Sequence, residues 1–385
     1  MKMKMNDMVN AVNKVSVTKA DITMNCKEGA VILASTDVAS GIEVQSRFGA
    51  TDVKEEKVFY LPCSIKEGLV ALSSAGDEVA IEELTGSVKF LAGQADISVG
   101  KLAEQPAGIL VGEPYAAYQF SGKEFVNAMN VISSVARKGG ETFTCCYCLI
   151  KGDTLEVFGT DGNRMVKNKM RVLQQQIRDD KAFIDSTVIV YDKDTQNLGF
   201  AIDHEIWKKI SSACSPEFVQ LYVCEKQVRL SWKDSVFVLP LYDTDKLISI
   251  NGVCDSTCEE KDGDVVFELN IADFYNAVNI VSVVNEDKRV SLKAKGKNLT
   301  VKSLNGSAKL AINDVGEGFS GDYNVDYLKE HLSFIKSTEK TAVKVATSNK
   351  CMISLDALLD YTYGSDNGEV VQQVEVVQAI MPVKE

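Results

Sequence analysis

Three stretches of the chain are near copies of one another: Met8-Val-Asn-Ala-Val-Asn-Lys-Val-Ser16, Phe125-Val-Asn-Ala-Met-Asn-Val-Ile-Ser133 and Phe274-Tyr-Asn-Ala-Val-Asn-Ile-Val-Ser282. Asn, Ala, Asn and Ser hold the same places each time, and the copies are offset by 117 and 149 residues (Asn10, Asn127, Asn276). That interval is far longer than a solenoid unit, so the repeating object is a whole domain used three times. A chain of 385 residues has room for it. The domains expected are 1–113, 114–250 and 262–385.

Each repeat carries two predicted helices. The first bears the motif. In Gly122–Val135 the apolar residues Phe125, Ala128, Met129, Ile132 and Val135 recur at helical spacing, and Ile271–Val284 repeats this with Phe274, Ala277, Val278 and Val281. The second helices are Ser64–Ser73, Asp203–Ala213 and Val325–Lys336. Between them the chain alternates as strands do, as in Ala30–Ser35, Thr154–Phe158 and Asn298–Ser303. The order helix, strands, helix, strands implies an α+β fold, each domain built of two β-α-β-β-β units. Linkers are expected near Glu104–Tyr115 and Ser249–Asp264, and an inserted loop at Tyr191–Leu198.

Composition limits the function. The net charge of −12 argues against a broadly basic nucleic-acid coat, although it leaves room for a local basic surface. No apolar run is long enough for a membrane span. The start, Met1–Asp7, leads into an amphipathic segment without a signal-peptide core, so a cytoplasmic protein is expected. The ten cysteines then read as reduced thiols. Cys145-Cys-Tyr-Cys148 lies in a β-rich run that would put Cys146 and Cys148 on one face and Cys145 on the other, which suits small buried hydrophobes better than a metal site. Cys254–Cys258 falls in the polar linker. The two histidines, His204 and His331, both lie in predicted helices, and no phosphate loop, nucleophile elbow or metal motif accompanies them. No metal and no cofactor is expected, and an enzyme built on the thiols of Cys145–Cys148 is the competing class.

Three patterns bring in a resemblance. Gly159-Thr-Asp-Gly-Asn-Arg-Met165, Tyr323-Asn-Val-Asp-Tyr-Leu328 and Ala379-Ile-Met-Pro-Val383 occur in the order and at the spacing of the bacterial DNA polymerase III beta subunit family, which the whole chain resembles. The resemblance implies a DNA sliding clamp: a homodimeric ring of six domains, with helices lining a channel and sheets outside. Such a ring encircles double-stranded DNA without sequence choice and tethers the replicative polymerase as a processivity factor. It is loaded by a clamp loader, serves other proteins that carry a clamp-binding motif, and catalyses nothing. The alternative is a clamp-like accessory protein of a phage or mobile element, with altered loading or client binding.

The resemblance also assigns residues. A client-peptide pocket would use Thr160, Gly162, Asn163, Arg164, Met165, Leu247, Ala379, Ile380, Met381, Pro382 and Val383. The sequence departs from the family there at Asn163, at Tyr242–Lys246 and at Lys384-Glu385. DNA would meet Lys14, Lys66, Lys123, Arg137, Lys138, Lys208, Lys209, Lys329 and Lys336. With the residues that flank them, the six predicted helices carry eight basic and eight acidic side chains, so their balance is neutral within an acidic chain. The acids gather in first turns, where they complement the helix dipole. The dimer would close through Ile97 and Val99 against Val283 and Val284. Met165 and Ile380 also suit ordinary strand packing, and the lysines also suit solvated helix faces.

Overall fold

The computed structural model describes residues 1–106, 108–109, 112–136, 143–177, 187–192, 194–213, 217–258, 262–283, 287–316, 318–335, 341–346, 352–365 and 368–383. Among them run seven α-helices: α1 (Met5–Val15), α2 (Ile65–Leu72), α3 (Gly122–Ala136), α4 (His204–Ser211), α5 (Leu247–Cys258), α6 (Ile271–Val283) and α7 (Val325–Ile335). Six lie where apolar residues recur at helical spacing. Phe125, Met129, Ile132 and Val135 of α3 are all buried, as are Phe274, Ala277, Val278 and Val281 of α6.

The seventh corrects the expectation of a linker, because α5 covers most of Ser249–Asp264. Its apolar positions Leu247, Ile250 and Cys254 fall at i, i+3 and i+7 and are buried, but the polar residues between them and the exposed Ile248 and Val253 hide the period. Tyr191–Leu198, expected as an inserted loop, includes the ends of two strands, Ile189–Asp192 and Asn197–Asp203, that pair as a hairpin.

All the described strand pairs are antiparallel. The chain divides into two compact units. One comprises Met1–Val126, Leu173–Ser186 and Ile206–Leu241. It holds a nine-stranded sheet that runs from Gln174–Ile177 to Lys57–Leu61 and a four-stranded sheet ending on Ala95–Gly100. In the nine-stranded sheet, Ser235–Pro240 pairs with Ile42–Gly49, placing Phe237 opposite Val44. The other unit comprises Asn127–Val172, Thr187–Glu205 and Tyr242–Glu385. Its nine-stranded sheet joins Arg164–Arg171 to Gly368–Ile380, with Arg164 opposite Ile380 and Met165 opposite Ala379. Its four-stranded sheet runs in the order Ser307–Ala311, Asn298–Lys302, Arg289–Lys295, Phe319–Asn324.

Strand Cys145–Lys151 is buried on both faces, with Cys145, Cys146 and Cys148 all in the core. Burial pushes the Cys145 thiol up to about 11 and raises Cys146 as well. Burial of this kind disfavours the free thiolate that a nucleophilic mechanism needs.

At the start of α3, Ser121-Gly-Lys-Glu124 has the spacing of a capping box. Glu124 is only 2% exposed, and burial raises its pKa to about 7, with the Ser121 hydroxyl offsetting part of the rise. The folded pKa lies above the ordinary value of 4.5, so the folded state keeps a proton that the unfolded state releases between the two values. Stability therefore falls as pH rises through that window, and the cost is complete above it. Glu124→Gln is expected to raise stability at about pH 8 by roughly 1–3 kcal/mol and to flatten the dependence between about pH 5 and 8. Urea unfolding at several pH values checks this, and an unchanged pH slope in the variant would count against it.

Candidate binding cleft

The site is built on the turn between strands Thr154–Thr160 and Arg164–Arg171. Its local chemistry closes on itself. Asp161 Oδ1 accepts the amides of Asn163 and Arg164 at 3.0 and 3.1 Å. The Thr160 hydroxyl donates to the Arg164 carbonyl at 2.7 Å and accepts the Gly162 amide at 3.0 Å. Gly162 has φ +85°, and an added Cβ would stand 3.3 Å from the Phe143 ring, so a side chain there is strained on both counts.

Arg164 is 1% exposed. Its Nε donates to Asp161 Oδ2 at 3.1 Å and its Nη1 to Glu330 Oε2 at 3.0 Å. The guanidinium lies 4.4 Å from the centre of the Tyr327 ring. Tyr327 and Glu330 are one turn apart on α7, so this arginine fastens the turn to that helix. The C-terminal strand continues the attachment. The Met381 amide donates to the Asn163 carbonyl and the Val383 amide to the Asp322 carbonyl, each at 2.8 Å.

Helix α5 supplies the opposite wall. Leu247 is fully buried, and one of its methyls lies 3.0 Å from where a Cβ on Gly199 would stand, so the helix packs closely because residue 199 has no side chain. Lys167, on strand Arg164–Arg171, pins the helix. Its Nζ lies 3.0 Å from Glu156 and donates to Asp255 at 2.5 Å and Asn251 at 2.9 Å. Burial works against the lysine's charge, but hydrogen bonds to Asp255 and Glu156 outweigh it and hold the pKa above the usual lysine range.

Between these walls lies a cavity of about 360 Å³. Met165, Phe143, Ile250, Val253, Met352, Ala379 and Met381 give it apolar sides, and Thr160, Asn163, Arg164 and Ser249 its few polar groups. Met165 packs against both neighbouring core clusters, one around Tyr147 and Ile250 and the other formed by Met352 and Ala379. An apolar cleft with a few fixed polar groups suits an apolar ligand held in one orientation.

Seven of the residues picked from sequence line this cavity: Thr160, Gly162, Asn163, Arg164, Met165, Ala379 and Met381. Leu247 lies in the core behind the cleft. Ile380 is fully buried, since strand alternation turns it away from the neighbours Ala379 and Met381. Pro382 and Val383 are half-buried and do not line it. Phe143, Ser249, Ile250, Val253 and Met352 were missed. Three of them, Ser249, Ile250 and Val253, lie on α5, whose apolar period is hidden in the sequence.

Of the candidate DNA residues, Lys123, Lys208 and Lys209 are exposed, and Lys14, Lys66 and Lys329 are half-buried. Lys14 donates to the Ser235 hydroxyl at 2.9 Å, and Lys209 lies 3.6 Å from Asp37. Arg137, Lys138 and Lys336 lie outside the described residues, as does Val284. Ile97 and Val99 are half-buried on the edge strand Ala95–Gly100, where the Ile97 methyl fills the space beside Gly68 of α2. Val283 is 81% exposed, and on the same helix Ile280 is 67% exposed.

No protein-family model and no curated protein matches the sequence. Solved structures do. The DNA polymerase III subunit beta sliding clamp of Pseudomonas aeruginosa bound to griselimycin matches with a TM-score of 0.78 at 12% identity, over 100% of this chain and 99% of that one. The Helicobacter pylori beta clamp in complex with 3,4-difluorobenzamide matches at 0.77 and 13%, over the full length of both chains. The Helicobacter pylori beta clamp bound to a DNA ligase peptide matches at 0.76 and 14%, over 100% of this chain and 99% of that one. The chain therefore has the fold of the bacterial beta sliding clamps.

Proposed function

We propose that this protein is a sliding clamp. Two chains of three domains each, 1–113, 114–250 and 262–385, close into a ring that encircles duplex DNA and tethers a polymerase and other clients. The observation that carries this reading is the fold likeness over the entire length of the chain, at a TM-score of about 0.77. It needs no catalytic residue. The tether is topological, so the helices need only weak contacts with phosphate, and their balanced charge fits that demand.

Ring closure needs complementary surfaces on each chain. The unpaired edges of Ala95–Gly100 and Ser307–Ala311 suit strand pairing across chains. Helix α6 packs on the second of these strands and presents Val283 and Ile280 to solvent. The cleft would take a client's short apolar peptide, the class of ligand named for the Helicobacter pylori clamp with its DNA ligase peptide.

The test joins mass to topology. Sedimentation should give about twice 42.1 kDa. Once closed on a nicked circle by a cognate loader, the protein should stay until the circle is cut. A strict monomer at micromolar concentration, or equal retention on linear and circular DNA, would exclude encirclement.

A further inference from the structure

From Lys288 to Asn313 the sequence holds seven basic residues and no acidic one, in a chain of net charge −12. The fold places four of them, exposed, on one face of a sheet. Val290, Leu292, Ala294, Leu299 and Val301 are buried on the side where α6 packs. Alternation turns Lys293, Lys295, Lys302 and Lys309 to the other side, and all four are exposed. In register, Lys293 stands opposite Thr300, and Thr300 opposite Lys309. The next row holds Ser291, Lys302 and Ser307, and the row on the other side Lys295 and Asn298. Among the described residues none of these four lysines is in an ion pair, whereas nearby Lys288 pairs with Asp326 and Arg289 with Asp287. Asp322, an acid on the same face, is engaged by the Ser291 hydroxyl.

We propose that this sheet face is a contact site for the phosphate backbone of duplex DNA, separate from the ring's channel. Four lysines interleaved with hydroxyl and amide groups form a grid of donors, the chemistry used for phosphate oxygens. Lysines two residues apart on a strand are roughly 7 Å apart, and those two strands apart roughly 10 Å, so several phosphates can be met at once. Among its described residues the face has no aromatic side chain on which unpaired bases could stack, which disfavours a single strand. Among the same residues it has no large apolar side chain to anchor a peptide, which disfavours an acidic polypeptide. The site does not depend on encirclement, and its test differs from that of the ring.

The experiment uses the full chain, a fluorescent linear duplex of about 20 base pairs in two unrelated sequences, and anisotropy across a salt series. Lys293→Ala/Lys295→Ala/Lys302→Ala, on the two strands inside the edge strand, is compared with a charge-matched control, Lys27→Ala/Lys226→Ala/Lys233→Ala, at positions elsewhere. The sheet variant should lower affinity at least tenfold at low salt for both sequences. It should reduce the slope of log K against log salt by about 2–3, near 0.9 for each phosphate no longer neutralised. The control should do neither, and retention on a nicked circle should be unchanged. Equal effects of the two variants, no measurable duplex binding at low salt, or tighter binding of poly-glutamate or of a single strand of the same length would each overturn the proposal.

Discussion

Replacing Lys167 with methionine is expected to cost about 3–5 kcal/mol of stability, because it removes the central cation from a buried cluster. The Glu156 side chain is 8% exposed and would lose its buried cationic partner. Lys151, at 2.9 Å from Glu156 and itself 35% exposed, compensates only in part. Asp255 is 47% exposed, so solvent screens its share, and the penalty rests mainly on Glu156. Adding Glu156→Gln and Asp255→Asn to the same chain should recover most of the loss, since a neutral cluster of the same volume carries no stranded charge. Urea unfolding of the single and triple variants checks this. A single-variant loss below about 1 kcal/mol would mean that water reaches the cluster. The same network fixes α5, so the single variant should also weaken ligand binding in the cleft.

The second large effect concerns that cleft. A labelled peptide carrying leucine and phenylalanine anchors is expected to bind with micromolar affinity, each buried anchor contributing roughly 1.5–3 kcal/mol before association costs. Met165→Glu should weaken it at least a hundredfold, because Met165 touches both apolar walls and a carboxylate there must be desolvated when the anchor enters. Deleting Met381–Glu385 should abolish binding and leave the oligomeric state unchanged, since Met381 lines the cleft and the proposed ring contacts lie elsewhere. Fluorescence anisotropy reads both variants, with circular dichroism as the check on folding. Unchanged affinity in two folded variants would place peptide docking at another site.

Part of this cleft was legible from local chemistry. The run Thr160-Asp-Gly-Asn-Arg164 closes through hydrogen bonds within five residues, so its residue types alone specify its shape. The burial of Arg164 was not legible, because its partners Tyr327 and Glu330 lie on a helix more than 160 residues away. Met352 could not be found for the same reason. It enters the cleft only because strand Met352–Ser365 pairs with Gly368–Ile380, which in turn pairs with Arg164–Arg171.

The sequence by itself determined the helices that carry an apolar period, the recurrence of one motif three times, and the chemistry of the turn. Each rests on interactions among residues a few places apart, where spacing maps directly onto geometry. Only the tertiary structure decided that Leu247–Cys258 is a helix, since its polar residues hide the period and the core around Gly199 and Lys167 holds it in place. It alone decided how strands from different thirds of the chain share a sheet, as Ser235–Pro240 does with Ile42–Gly49. It also gathered the lysines of three strands onto one exposed face. Strand pairing is made by backbone groups that every residue carries, so which strands meet is set by the packing of the whole core and not by the residues of either strand.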